Sequence, residues 1–283
     1  MSTSGRRRPA WPRYLGLTAL ALPVLYPVLW MAASSLKSGT AIFSSPGLWP
    51  DPVRWSNYVH GWLAVSGFTF GHFVLNSLLV SGLTVVGTVT SAAVVAYGFA
   101  RFDFPLKGLW FSLMLGTIML PQEMIALPQY LEFARLGWVN TYLPIIVPAW
   151  LASVNGAFFV FLLMQFMRGV PRALDEAARL DGCNSLQFLA YVLLPVMQPA
   201  LVTAAIFSFL WSWENFFTPL LYLDSIHLYT VSLALNLFRD SSGVTSWGPL
   251  FAMSMLSLLP LFLLFFLAQG YIVEGIQTTG LKS

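Results

Sequence analysis

The sequence predicts an all-α polytopic membrane protein with six transmembrane helices, and three observations predict it. Of the 283 residues, 57% are hydrophobic and only 9% are charged, where a soluble domain carries about 25% charged residues. The mean hydropathy is +0.73. The apolar residues also gather into six stretches, each near the roughly 20 residues that cross a ~30 Å hydrocarbon core. A chain this poor in polar surface excludes a soluble enzyme, a nucleic-acid-binding domain and a disordered protein.

The first stretch runs from about Tyr14 to Ser34, behind the basic residues Arg6, Arg7, Arg8 and Arg13. That pattern resembles a signal peptide, but the apolar run is long for one and no small-x-small site fits well before Lys37. The second runs from about Phe73 to Ala100. The third runs from Leu109 to about Leu127 with Pro121 inside it, and the fourth from about Leu143 to Phe166. The fifth runs from about Pro199 to Leu223, and the sixth from about Phe251 to Val273. Between the first two lies a turn-rich connection, Lys37 to His72, with Ser45-Pro46-Gly47 and Pro50-Asp51-Pro52.

Lys and Arg placement sets the orientation. With the N-terminus inside, Arg6, Arg7, Arg8, Arg13, Arg101, Lys107, Arg168, Arg172, Arg179 and Lys282 fall on the inner side. Lys37, Arg54, Arg135 and Arg239 fall on the outer side. Both termini are therefore expected in the cytoplasm. The net charge of +3 reflects this anchoring and not nucleic-acid binding. The single cysteine, Cys183, allows no intrachain disulfide, and the three histidines stand far apart in sequence. No metal site is expected from such spacing.

The most informative polar segment lies between the fourth and fifth stretches. Pro171 suits the start of a helix, where a missing N–H costs nothing. Asp175 and Arg179 form an i,i+4 acid-to-base pair in the favourable direction. Gly182 suits a C-terminal stop with positive φ. A short self-capped helix is predicted, followed by a second amphipathic stretch from Ser185 to Leu194 that ends at Pro195. A solvated loop with some helix in it explains the charges equally well; a helix–turn–helix at a membrane surface is better suited to docking a cytoplasmic partner.

Glu176-Ala177-Ala178, Gly182, and Val192-Leu193-Leu194-Pro195, at this spacing, resemble the EAA signature of ABC importer permeases. Val192 stands where that pattern usually has Ile. Further motifs are similar to maltose-type carbohydrate permeases: Ser34-Ser35-Leu36-Lys37, Asn57-Tyr58, Asn76-Ser77, Ala96-Tyr97-Gly98-Phe99-Ala100-Arg101, Met119-Leu120-Pro121, Leu136-Gly137, Asn140-Thr141 and Ser212-Trp213-Glu214-Asn215-Phe216. The tail from Gly275 to Lys282 is a looser match. The resemblance implies a type I ABC importer permease fold in a bacterial or archaeal plasma membrane. It divides the chain into an N-terminal part (1–72), a permease core (73–273) with the EAA loop at 167–198, and a cytoplasmic tail (274–283). It implies that the loop is a coupling helix seated on an ATPase subunit, with Glu176, Ala177, Ala178, Arg179, Asp181 and Gly182 at the contact. It also implies three partners: a second, homologous permease, a dimeric ATPase and an extracytoplasmic solute-binding protein. No cofactor is expected on this chain, with ATP and Mg2+ held by the ATPase.

Ionisable residues within spans are functional candidates by default. Glu214 lies fifteen residues beyond Pro199 and Glu123 fifteen beyond Gly108, roughly 22 Å along a straight helix. Both are thereby expected at similar depth in the outer half of the membrane. Trp211, Ser212, Trp213 and Asn215 surround Glu214, and carboxylates, amides and indoles together suit sugar hydroxyls and C–H faces. An interfacial aromatic belt is the competing account of the tryptophans. Glu214, Asn215, Trp213, Glu123 and, in the fourth stretch, Asn155 are the expected pathway residues.

Two motifs fall short of their chemistry. Ser34-x-x-Lys37 lacks the S-D-N and K-T-G elements that accompany S-x-x-K catalysis. Gly275-x4-Gly280 is one residue off a P-loop, the register broken by Leu281, so ATP must be bound by another chain. A permease for a glycerol-phosphate ester is an alternative, although the spans contain no Lys or Arg. A membrane-embedded enzyme using Glu123 and Glu214, or a secondary carrier, leaves the EAA-like loop unexplained.

Overall fold

The structure is a computed structural model that describes residues 11–45, 47–63, 67–152, 156–239 and 245–280. In chain order the α-helices are α1 (Trp11–Ser35), α2 (Gly39–Ser44), α3 (Ser56–Leu63), α4 (Phe70–Arg101), α5 (Lys107–Ile118) and α6 (Gln122–Arg135). They continue with α7 (Leu143–Trp150), α8 (Gly156–Gly169), α9 (Ala173–Leu180), α10 (Ser185–Gln187), α11 (Leu194–Val196) and α12 (Gln198–Glu214). The last are α13 (Phe217–Tyr222), α14 (Val231–Ala234), α15 (Trp247–Ser257) and α16 (Leu259–Gly280). Among the described residues three helical stretches are each long and apolar enough to cross a membrane: Tyr14–Ser35, Phe70–Arg101 and Trp247–Gly270. Three bent helix pairs bring the number to six if each counts as one span.

The first, second and sixth expected stretches form long helices. The third, fourth and fifth do not, for local reasons. Pro121 has no N–H to continue a helix. Met119 and Leu120 instead close a tight turn onto the carbonyls of Gly116 and Thr117, and α6 leaves α5 at 100°. In the fourth stretch α7 carries Pro144 and Pro148, and Ala152 takes a left-handed φ of 52°, which ends the helix. In the fifth, Asn215 is extended (φ −63°, ψ 115°) and its Oδ1 accepts the Thr218 N–H. A short polar side chain bonding its own backbone in this way competes with the helix.

The chain forms two compact units, Met1–Gly67 with Leu237–Leu258, and Phe68–Asn236 with Leu259–Ser283. In the first, α15 packs on α1 and α3. Asn57 Nδ2 donates to the carbonyls of Ser35 and Lys37, both at 2.8 Å, and so caps the end of α1. The Lys37 ammonium is buried and satisfied by the carbonyls of Ser45 and Gly47.

In the second unit α4 is the central helix, with α7, α8 and α12 packed along it. Its buried positions are mostly small: Ser77, Ser81, Gly87, Thr88, Ala92, Ala93, Ala96 and Ala100. In lipid, where apolar surface alone does not drive association, such small faces allow the close approach that packing needs. Gly87 shows how close: a Cβ there would stand 2.4 Å from the Trp150 ring. Phe159, Val160, Leu163, Met164 and Met167 of α8 fill the core against the alanines of α4.

Candidate functional site

Two places in the second unit concentrate polar groups. One is the turn from α8 into α9 and onward to α10. Pro171 opens the turn, and Arg172 O accepts the N–H groups of Asp175 (2.9 Å) and Glu176 (3.2 Å). The regular helix starts at Ala173, two residues after the proline. It leaves α8 at 78°. Asp175 and Glu176 lie in its first turn and Arg179 in its last, each sign matched to the helix dipole.

The C-terminus closes as the sequence predicts. Gly182 has φ 82°. Its N–H donates to Arg179 O at 3.1 Å, and Cys183 N–H donates to Ala178 O at 2.9 Å. These are the two bonds of a Schellman motif. Asn184 then starts the next helix with a capping box: its Oδ1 accepts Gln187 N–H, and Gln187 Oε1 accepts Asn184 N–H, both at 2.9 Å. The stretch continues as a π-helix over Phe188–Leu193, a wider coil than the amphipathic α-helix expected.

The expected Asp175–Arg179 pair does not form. Asp175 reaches away from its own helix, where its Oδ1 lies 3.1 Å from Arg101 Nε at the end of α4. Both side chains are largely buried, 17% and 6% exposed. Arg101 also donates to Val170 O at 3.0 Å. The i,i+4 spacing identified the acid correctly but could not show that a cation from the second stretch would fold against it. Ala178 is the one buried residue of α9, within the cluster that includes Tyr97, Met167 and Phe188. Glu176, Ala177, Arg179, Asp181 and Gly182 are exposed. Beside them Leu180 is 89% exposed.

The second place is a cavity of about 120 Å³ between α4, α6, α7, α8, α12 and α13. Hydroxyls from Thr84, Thr88, Ser208, Ser212 and Thr218 and amides from Gln122, Gln129 and Asn215 line it, with Phe159, Trp211 and Tyr222. Among the described residues no charged side chain lines it. Thr218 Oγ1 accepts from Gln122 Nε2 (3.1 Å) and from Asn215 Nδ2 (3.0 Å). Ser232 donates to Asn215 O at 2.6 Å. These bonds tie α6 to α13 across the cavity. Thr84 Oγ1 is buried with no hydrogen-bond partner among the described residues.

Among the expected pathway residues, Asn215 lines this cavity, and its neighbours Trp211 and Ser212 line it too. Trp213 does not; it is buried and stacks on Phe209 at 5.5 Å. Glu214 is the exposed last residue of α12 and lies outside the lining. Glu123 is exposed in the first turn of α6. The depth expected for Glu123 assumed one straight helix from Gly108, and the 100° bend removes that basis. Asn155 lies outside the described residues. Sequence reasoning missed Thr84, Thr88, Gln122, Gln129 and Thr218. Gln122 follows Pro121 directly, and a proline break inside an apolar stretch is the signal that could have pointed there. Among the described residues no three His, Cys, Asp or Glu side chains come together to hold a metal.

Comparison with known proteins gives these two places a context. The family model described as "Binding-protein-dependent transport system inner membrane component" matches residues 3–278. The chain is 33% identical to a probable ABC transporter permease protein, YurM, of Bacillus subtilis, over 97% of this chain and 92% of that one. It is 31% identical to the trehalose/maltose transport system permease protein MalG of Thermococcus litoralis, over 95% of each. It is 30% identical to the sn-glycerol-3-phosphate transport system permease protein UgpE of Pectobacterium atrosepticum, over 90% of this chain and 91% of that one. In fold it is similar to a chain of a bacterial ABC transporter involved in the import of the acidic polysaccharide alginate. The TM-score is 0.78 at 20% identity, covering 96% of this chain and 99% of that one. Matched over nearly its whole length, this helical membrane chain belongs to the inner-membrane components of binding-protein-dependent transport systems.

Proposed function

We propose that this chain forms one half of the translocation pathway of an ATP-driven importer for a neutral carbohydrate. A second permease forms the other half. A binding protein delivers the solute from outside, and a pair of ATPase subunits holding ATP and Mg2+ drives the cycle. The termini and the α8–α10 loop face the cytoplasm.

The observation that carries this reading is the α9 loop. A helix capped at its C-terminus and anchored to the body by Ala178 and Asp175 presents Glu176, Ala177, Arg179 and Asp181 together with Leu180. Leaving a leucine 89% exposed beside charges is unfavourable in water, and a hydrophobic slot on a partner subunit would cover it. Closure of the ATPases would then move α9, and the rigid joint to α4 would pass that motion to the wall of the cavity. The uncharged hydroxyls, amides and aromatic rings of that wall match sugar hydroxyls and C–H faces. A phosphate ester calls for cations, which favours a neutral solute over the one named for UgpE.

A mild-detergent pull-down of the tagged chain from its native host, read by mass spectrometry, tests the assembly. Recovery of a second permease and an ATP-hydrolysing subunit is expected; recovery of the chain alone, active by itself, would overturn the importer reading. Uptake into vesicles holding the purified complex, with neutral oligosaccharides and sn-glycerol 3-phosphate compared, tests the solute. Cys183, the sole cysteine, reports orientation: a membrane-impermeant maleimide should reach it only from the cytoplasmic side.

A further inference from the structure

A second hollow, of about 530 Å³, lies where α4 ends, α5 begins and α8 turns into α9. Four cations line it: Arg101, Lys107, Arg168 and Arg172. Asp175 pairs with Arg101 and Asp103 with Lys107, which leaves Arg168 and Arg172 with no acidic partner among the described residues. The Arg168 guanidinium stands over the Phe111 ring, 5.9 Å from its centroid. That cation–π contact holds the group in place while its N–H edge stays open. Arg168 and Arg172 are both exposed. Of its four cations, only Arg101, through Asp175, enters the transport cycle described above.

Its surroundings identify the kind of anion. The adjoining residues Phe104, Leu106 and Trp110 are exposed. Leu106 turns through a left-handed φ of 58° immediately before α5. No residue of α5 is buried, although one side of it packs on α8. A cationic hollow that opens onto an exposed apolar helix offers a phosphate site and a surface for acyl chains together. A free anion would use only the first.

We propose that this hollow binds the phosphate of an anionic phospholipid, with Arg168 and Arg172 holding the headgroup and the α5 surface holding the chains. Basic pockets at the cytoplasmic ends of spans bind such headgroups, and guanidinium forks match phosphate oxygens. The inference rests on the reading that the α8–α9 turn faces the cytoplasm, and the Cys183 labelling above tests that separately.

The test uses the purified complex in nanodiscs of phosphatidylcholine carrying a trace of photoreactive phosphatidylglycerol or photoreactive phosphatidylcholine. Crosslinked peptides are mapped to residues 99–112 and 166–174. Phosphatidylglycerol should label these segments well above phosphatidylcholine. Arg168→Gln and Arg172→Gln should each lower its apparent affinity roughly fivefold, and raised salt should do the same to the unchanged protein. Arg135→Gln, at the far end of α6, should change nothing. Both variants replace exposed residues and leave the buried Arg101 in place, and the salt titration needs no variant at all. Equal labelling by the two lipids would overturn the proposal. So would saturable binding of inorganic phosphate alone that abolishes lipid preference, which would make the site one for a free anion. Lipid labelling that appears only after the ATPase subunits are stripped away would also overturn it, making the hollow a protein interface.

Discussion

The α9 loop and the polar cavity both place polar side chains in an apolar chain, and they do so by opposite means. The loop is built from neighbours. Every bond of its two caps joins residues no more than five apart, so its pattern is written in consecutive letters. The cavity is built from residues as far apart as Thr84 and Tyr222, contributed by six helices, and its hydrogen bonds cross from Gln122 to Thr218. The loop carries charge and the cavity has none in its wall. On the proposed function, the docking loop keeps the shape of its caps by local bonds, and the solute cavity is held by long-range ones.

The largest expected effect lies where the two regions meet. Arg101 closes α4, which lines the cavity higher up through Thr84 and Thr88, and it holds the loop through Asp175 and Val170. Arg101→Ala should destabilise the chain by about 3 kcal/mol, because it leaves a buried carboxylate without its partner. Thermal unfolding of the purified complex measures this. Replacing both partners together, Arg101→Met with Asp175→Leu, should cost less than Arg101→Ala alone. If the single and double replacements cost the same, the loop is held by its apolar contacts and the joint is not electrostatic.

Gly182 comes next. A Cβ there meets nothing within 4 Å, so only the φ of 82° is at stake. Gly182→Val should cost about 1–2 kcal/mol in the left-handed region and, by distorting the end of α9, lower uptake while insertion persists. Gly182→Asn, which tolerates that conformation, should keep most of the activity. Equal loss in both would show that the position matters for room on the partner and not for backbone shape. Glu176→Lys, on the exposed face, should uncouple ATP hydrolysis from uptake with no change in unfolding temperature.

The smallest effect separates the cavity from its flank. Asn215→Ala removes the bonds to Thr218 and should raise the half-saturating solute concentration roughly fivefold, the worth of about 1 kcal/mol of hydrogen bonding. Glu214→Ala, one residue earlier and outside the lining, should stay within about twofold, as exposed substitutions do. The reverse order would move the pathway to the position the intramembrane charge first indicated.

The same contrast explains what the sequence could tell. Composition and apolar run length give the class and the three long helices because both depend on sums over neighbours. The Schellman stop at Gly182 and the boundary at Pro199 were legible because each is a local steric demand. The Asp175 partner was not, since Arg101 is 74 residues away. The depth of Glu123 was not legible, because it was counted along a helix that Pro121 breaks. Glu214 and Trp213 lie outside the cavity lining for a subtler reason: on one turn of helix, adjacent residues point in different directions, and the packing of α12 on α4 decides which of them face the cavity. Asn215 and Ser212 were legible only as members of a polar group.

The break between α5 and α6 has a consequence for how the chain is made. A segment leaving the ribosome enters lipid readily when its backbone is satisfied and its side chains are apolar. Lys107 to Arg135 meets these conditions only in part, because it turns by 100° midway and α6 carries Gln122, Glu123, Gln129, Glu132 and Arg135. Its polar anchor, Thr218, is synthesised 96 residues after Gln122. The bent segment is therefore expected to settle only after α12 and α13 have emerged, and in a nascent chain halted before Gln198 its Gln122 should be more accessible than in the finished protein.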